Sequence, residues 1–155
     1  MTTSIVASVF DSSLYIPDLK LKRRESALHE LVERAHRHGV VRDTALLDEA
    51  LAIRGRVLPA GIGKGVAVPH ARSIAVTEPR IVVARSRLGI DWSAPDGIPV
   101  QIAVLVLSPG ELSDDLHLEF LGRAVSVLRL QRNRQKILDA DRFETVAAVL
   151  RDVTP

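Results

Sequence analysis

The first half of the chain carries hydrophobic residues at the period of an α-helix. Within residues 22–38, four apolar positions from Leu28 to Ala35 follow the i, i+3, i+4, i+7 spacing, and Gly39 follows as a typical end signal. Residues 43–54 repeat this pattern after polar residues that favour a helix start. The spacing therefore predicts two amphipathic helices in succession.

The pattern then changes to that of β-structure. Residues 66–68, 81–86 and 100–108 are short apolar or β-branched runs bounded by proline, glycine or aspartate, and residues 14–16 form a further extended piece. The run VQIAVLVLS at 100–108 has almost no polar interruption, which is typical of a strand buried on both faces. We expect it to lie in the middle of a sheet.

The helical period returns in the last third of the chain. A long helix is predicted from about residue 113 to 130 and a short one near 133–138. A final helix is predicted over 142–152, with Asp141 and Glu144 as its capping pair. Helices before and after a group of strands indicate an α/β fold with helices on the faces of the sheet.

Composition and charge narrow the class of protein. The chain has 155 residues, of which 46% are hydrophobic and 26% charged, so we expect one folded domain spanning residues 1–155. A net charge of +2 without a basic tail does not favour nucleic acid as a partner. The absence of cysteine excludes disulfides and thiolate chemistry. Without a signal peptide or an apolar run near the ~20 residues that span a bilayer, we expect a cytoplasmic protein with no membrane insertion.

The stretch GIGKGVAVPHAR at 61–72 combines glycines, a short apolar run and a histidine. It is not a P-loop, because Gly65 follows Lys64 where that motif requires serine or threonine. It does not match a dinucleotide-binding turn either, because the strand follows the glycines instead of preceding them. We interpret the glycines as a turn, and Pro69 as ending a strand that presents His70.

A second histidine falls on the apolar face of the long helix. His117 precedes Phe120, Leu121 and Ala124 at helical spacing, so its side chain is expected to face the sheet. Burial near the positive end of a helix lowers the pKa of an imidazole, which predicts a neutral ring at pH 7. The presence of His117 strengthens the case that His70 is functional and not merely structural.

The remaining histidines and the tryptophan favour simpler interpretations. His36 and His38 suit the negative end of the first helix, and their i, i+2 spacing does not favour a metal site. His29 lies among acidic neighbours and is expected at the solvated surface. Trp92 is expected to anchor a turn against the sheet; the alternative is an exposed partner site.

These segments resemble a known family. GIGKGVAVPHAR, EALAIR at 49–54, the run at 90–109 and HLEFLGRAVSVL at 117–128 are similar, in order and spacing, to fructose/mannitol-type IIA proteins. These type 2 IIA proteins belong to the bacterial phosphoenolpyruvate-dependent sugar phosphotransferase system and include nitrogen-regulatory members. The resemblance covers about residues 14 to 150. It implies a three-layer α/β/α sandwich around a small mixed β-sheet.

The resemblance also implies a set of site residues. On this resemblance, His70 is expected to be the residue that is phosphorylated, His117 the histidine that supports it, and Arg54 the cation near the phosphoryl group. No metal or cofactor is implied, because phosphoryl transfer needs mainly alignment and charge neutralisation. Backbone N–H groups of the glycine turn are further expected to cradle the phosphoryl group, through Gly61, Gly63 and Gly65.

Three functions remain open from the sequence. The first is a phosphocarrier that accepts a phosphoryl group from an HPr-like protein and passes it to a IIB domain. The second is a regulatory protein whose phosphorylation state controls a target. The third is a degenerate member that binds partners but no longer transfers phosphate, a possibility raised by Pro59–Ala60, which replaces the family's usual Ser-Thr or Gly-Thr. A second departure is Gly55, which stands where glutamate often follows the arginine.

Overall fold

The computed structural model describes residues 9–57 and 61–155, which contain six strands and five α-helices. The strands are β1 (Tyr15–Ile16), β2 (Gly61–Gly63), β3 (Val66–Ala67), β4 (His70–Ser73), β5 (Arg80–Ile90) and β6 (Val100–Pro109). The helices are α1 (Arg24–Arg37), α2 (Thr44–Val57), α3 (Asp114–Leu128), α4 (Gln131–Asp139) and α5 (Phe143–Val149). No helix within these residues is of a length and hydrophobicity that could cross a bilayer.

The strands form one mixed sheet around β6. Its order is β1-β5-β6-β3-β2, and β4 pairs with β6 further along the same edge as β3. β5 runs antiparallel to β6, whereas β3 and β4 run parallel to it. Every residue of β6 except Gln101 is buried, which confirms the prediction of a central strand covered on both faces.

Two hydrophobic clusters cover the two faces of this sheet. Alternate residues of β6 point to opposite sides: Leu105 and Leu107 join the cluster with α1 and α2, whereas Val104 and Val106 join the cluster with α3, α4 and α5. The predicted three-layer α/β/α sandwich around a mixed sheet is confirmed.

The glycine stretch differs from its prediction. Residues 61–63 form β2, which pairs antiparallel with β3 through the glycine turn. β3 ends at Ala67, and His70 opens β4 instead of ending the strand before it. The interruption falls at Pro69, which has no N–H to donate to a ladder. Its carbonyl still accepts a hydrogen bond from the N–H of Val106 at 2.9 Å, so the chain stays beside β6.

Two helix boundaries also differ. α2 continues beyond the predicted end at Arg54 and runs through Gly55 to Val57. The last helix is shorter than predicted, and its N-cap is Arg142, which makes no side-chain capping bond. The predicted capping role of Asp141 is therefore wrong, because the helix begins one residue further along the chain.

Candidate functional site

The fold brings His70 and His117 together although 47 residues separate them. Nδ1 of His70 lies 3.2 Å from Nε2 of His117, and the two ring centroids are 5.4 Å apart with a 40° tilt. His70 is opposite Val106 in the β4–β6 ladder, and α3 begins shortly after β6 ends. Parallel pairing on β6 therefore sets the start of β4 beside the first turn of α3.

A buried hydroxyl completes a row of three polar side chains. Nδ1 of His117 lies 2.7 Å from Oγ of Ser108, a fully buried residue near the end of β6. The row runs from Ser108 through His117 to the half-buried His70. Nε2 of His70 makes no hydrogen bond to any residue in the described part of the chain, so it is the ring nitrogen available for chemistry.

The pKa values of both imidazole rings are lowered, which favours their neutral forms at pH 7. Burial, the charge of Arg54 and the neighbouring His117 lower the pKa of His70 from 6.5 to about 4. Burial also lowers the pKa of His117, with smaller contributions from the charges of Arg54 and Arg72, while Asp114 opposes the shift. The direction predicted for His117 from the sequence is confirmed, and burial is its largest cause. A neutral ring offers one N–H and one lone pair.

Folding stability should fall on acidification because of these shifts. Between pH 6.5 and about 4, the unfolded chain protonates His70 whereas the folded chain does not. The contribution of His70 to folding stability is therefore fully present above pH 6.5. It decreases as the pH falls from 6.5 to about 4, and it changes no further below about pH 4. Denaturant unfolding measured across this range should have a shallower pH dependence in His70→Asn than in wild type. Identical profiles would contradict the low pKa.

His70 opens onto a cavity of about 440 Å³ on the α1–α2 side of the sheet. Its walls include Leu51 and Trp92, and Arg54, in the last turn of α2, lines it together with His70. A larger groove of about 1390 Å³ lies between α3, α5 and the C-terminal residues, but neither histidine lines it. The smaller cavity is the candidate site, because the histidine and the arginine meet there.

Arg72 ties the strand that carries His70 to the helix that carries His117. Its Nη1 donates to the carbonyls of Gly110 and Leu112, at 2.9 and 3.0 Å, and its Nε lies 3.0 Å from a carboxylate oxygen of Asp114. These bonds fasten the loop between β6 and α3 to β4. The sequence did not predict Arg72 or Ser108 as site residues. The only local signal was the hydroxyl of Ser108 near the end of the apolar strand β6.

The charge and the shape of Arg72 can be separated experimentally. Because its positive charge helps to lower the pKa of His117, Arg72→Met should raise that pKa in an NMR titration. Arg72→Lys keeps the charge but loses the planar guanidinium, so the pKa of His117 should stay lower in this variant than in Arg72→Met. Equal pKa values of His117 in the two variants would contradict a charge effect.

The structure does not bring the glycine turn to His70. Gly61 lies opposite Ala67, which pairs with Ala103, whereas His70 pairs with Val106. Three residues along a strand correspond to about 10 Å. Gly63 and Gly65 lie at the turn itself, with φ values of +89° and +79°. The backbone N–H of Lys64 donates to Asp96 at 2.6 Å. The glycines thus serve the geometry of this turn, and its Lys64 donor is already occupied.

The other histidines and the tryptophan lie largely as expected. Nδ1 of the exposed His29 is 3.0 Å from an oxygen of Asp48, and its Nε2 is 3.7 Å from Glu33, so the acidic surroundings are confirmed. No cluster of metal-ligating residues occurs in ranges 9–57 and 61–155, including around His36 and His38. Trp92 is 1% exposed, which confirms the anchor and makes the exposed partner site wrong.

One of the two segments that depart from the family pattern lies at the cavity. Gly55 falls inside α2 and lines the cavity near Arg54. Pro59–Ala60 lies outside the described residues, so the proposed loss of a hydroxyl there stays a prediction.

Comparison with known proteins identifies the family. The family model for "Phosphoenolpyruvate-dependent sugar phosphotransferase system, EIIA 2" matches residues 8–153. The chain belongs to this family. The match covers both histidines and Arg54, and it agrees with the resemblance inferred from the Pro-His stretch. Proteins of the EIIA 2 family carry phosphoryl groups between proteins.

Relatives in the EIIA 2 family include sugar-specific and regulatory proteins. The chain is 34% identical over 130 residues to the PTS system fructose-specific EIIA component of Haloferax volcanii, covering 84% of each. It is 29% identical over 133 residues to the fructose-specific EIIABC component of Bacillus subtilis, covering 86% of this chain but 21% of that protein. The nitrogen regulatory protein IIA-Ntr of Neisseria meningitidis has a similar structure, with a TM-score of 0.84, 26% identity, and coverage of 92% and 97% of the two chains.

Proposed function

We propose that this protein is a histidine phosphocarrier that accepts a phosphoryl group on Nε2 of His70. The donor is a phosphohistidine on an HPr-like carrier protein. The phosphoryl group is then passed to a IIB domain or serves as a regulatory signal. The observation that carries the proposal is the 3.2 Å contact from Nδ1 of His70 to His117, which leaves Nε2 without a hydrogen bond in the described part of the chain, on a residue that lines the same cavity as Arg54. Membership of the EIIA 2 family supports it.

The reaction follows from the state of the ring. The lone pair on Nε2 of His70 attacks the phosphorus, a new N–P bond forms, and the N–P bond of the donor breaks. The electron pair of the broken bond returns to the imidazole nitrogen of the carrier. Positive charge that develops on the His70 ring is relieved through its Nδ1 proton, for which Nε2 of His117 is the acceptor.

Charge neutralisation is the role proposed for Arg54. A phosphoryl group brings roughly two negative charges to the site. Arg54 is exposed at the end of α2, and its charge already influences both imidazole rings. A guanidinium can donate two parallel hydrogen bonds to phosphoryl oxygens, which favours the transition state of a loose phosphoryl transfer.

The direct test is phosphorylation by a reconstituted donor system. The protein is incubated with phosphoenolpyruvate, enzyme I and HPr, and the product is studied by mass spectrometry and by ¹⁵N and ³¹P NMR. We expect one acid-labile phosphoryl group per chain, bonded to Nε2 of His70. A protein that takes up no phosphoryl group, or that carries it on another residue, rejects the proposal.

A regulatory role is the second candidate, favoured by the structural similarity to the Neisseria nitrogen regulatory protein. The two roles differ in what happens to the phosphoryl group after uptake. Rapid transfer from the phosphorylated protein to a purified fructose-type IIB domain supports the sugar pathway. A binding partner that distinguishes His70→Ala from the phosphate-mimicking His70→Asp supports regulation. An uptake rate like that of a transferring EIIA protein dismisses the non-transferring alternative.

A further inference from the structure

We propose that Ser108 is a positioning residue. Its hydroxyl lets the two hydrogen bonds of His117, one to Ser108 and one to His70, reverse direction as His70 gains and loses its phosphoryl group. The proposal rests on the phosphocarrier function and adds a residue that acts through His117. Ser108 does not reach the phosphoryl group itself: it is fully buried, and its Oγ contacts the ring nitrogen of His117 that faces away from His70.

The argument starts from the arrangement of atoms in the row. Oγ of Ser108 lies 2.7 Å from Nδ1 of His117, and Nε2 of His117 lies 3.2 Å from Nδ1 of His70. His117 is 5% exposed, so its ring depends on these two contacts rather than on water. A neutral imidazole has one N–H and one lone pair. The direction of one hydrogen bond along the row therefore fixes the direction of the other.

Only one direction prepares His70 for attack. In that arrangement His70 donates its Nδ1–H to Nε2 of His117, and His117 donates its Nδ1–H to Oγ of Ser108. Nε2 of His70 then carries the lone pair. In the opposite arrangement Ser108 donates to His117, His117 donates to His70, and the proton of the neutral His70 ring lies on Nε2, where it blocks attack.

The phosphorylated protein requires the opposite direction. Once Nε2 of His70 is bonded to phosphorus, a neutral ring has only a lone pair on Nδ1 and must accept a hydrogen bond from Nε2–H of His117. Nδ1 of His117 must then accept from Ser108. During uptake, His70 and His117 together lose one proton to solvent, and the imidazole released from the carrier takes up one proton from solvent. The group that contacts Nδ1 of His117 must therefore accept a hydrogen bond in the free protein and donate one in the phosphorylated protein.

A hydroxyl meets this requirement, whereas the other common partners of histidine do not. A carboxylate only accepts and an ammonium group only donates, so each would fix one direction. A carboxylate would also place a negative charge close to the incoming phosphoryl group. A serine at position 108 therefore suits a site that must both accept and release a phosphoryl group.

The test compares Ser108→Thr with Ser108→Val, which have nearly the same shape and differ in the hydroxyl. Long-range ¹⁵N NMR reports which nitrogen of His117 carries hydrogen. In wild type and Ser108→Thr we expect a population with hydrogen on Nδ1 in the free protein and a shift to Nε2 on phosphorylation. In Ser108→Val an N–H on Nδ1 would be buried without an acceptor, so hydrogen should stay on Nε2 in both states.

The same variants are compared in phosphoryl uptake. We expect Ser108→Val to be slower than Ser108→Thr by about tenfold or more, since losing one buried hydrogen bond is typically worth that factor. Equal rates and equal His117 tautomers in the two variants overturn the proposal. So does a His117 ring in phosphorylated wild type that is doubly protonated or unchanged. The tautomer comparison in the free proteins needs no phosphoryl donor, so it stands even if wild type is not phosphorylated.

Discussion

His70→Ala is expected to abolish phosphoryl uptake from a phosphorylated HPr-like carrier. The variant removes the ring nitrogen that makes no hydrogen bond within the described residues, and His117 cannot replace it because both of its nitrogens are engaged and its side chain is buried. The measurement is the amount of phosphoryl group incorporated per chain after incubation with phosphoenolpyruvate, enzyme I and HPr. Incorporation should fall to background.

His38→Ala is the matched control for this loss. His38 is exposed, follows the last residue of α1 and does not line the cavity. Its substitution removes an imidazole from the same chain without changing the site, so uptake should stay at the wild-type level. Labelling that persists in His70→Ala, or that disappears equally in His38→Ala, would contradict the assignment of His70.

His117→Ala is expected to slow uptake by about 10²–10⁴-fold without moving the site of phosphorylation, the range typical of a lost general base. The variant takes away the acceptor for the Nδ1 proton of His70, but it leaves the attacking Nε2 in place. Single-turnover labelling measures this rate. Added imidazole should restore part of it by occupying the space that the substitution creates.

A second variant separates this chemical effect from a loss of folding. His117→Gln fills more of the buried position, and circular dichroism with thermal unfolding checks that both variants are folded. A folded His117→Ala protein that reacts at the wild-type rate would show that His70 works without its neighbour. Slow reaction in both folded variants, with rescue by imidazole only in His117→Ala, agrees with the expected role.

Some parts of the site are local in the sequence and were therefore predictable. His117 falls on the apolar face of its helix, so its burial and its direction follow from helical spacing alone. The β6 run is apolar along almost its whole length, which predicted its central place in the sheet. The pairing of His70 with His117 came from the resemblance to a family, because no local pattern relates two residues so far apart.

Other parts depend on topology and could not be predicted. Ser108 meets His117 because the chain turns from β6 directly into α3, and Arg72 reaches the intervening loop because β4 pairs with β6. The strands β2 and β4 have three and four residues, too few to display a period of two. The glycine turn was expected near the phosphoryl group, but its place depends on register with β6, which the sequence does not specify.

The position of Trp92 gives this protein a built-in optical probe. The chain has one tryptophan, and its buried indole shares a cavity with His70. Fluorescence emission from an indole responds to nearby charge, so the arrival of a phosphoryl group should change the intensity or the wavelength of that emission. Stopped-flow fluorimetry could then follow each turnover in real time, on unlabelled protein and with the native sequence.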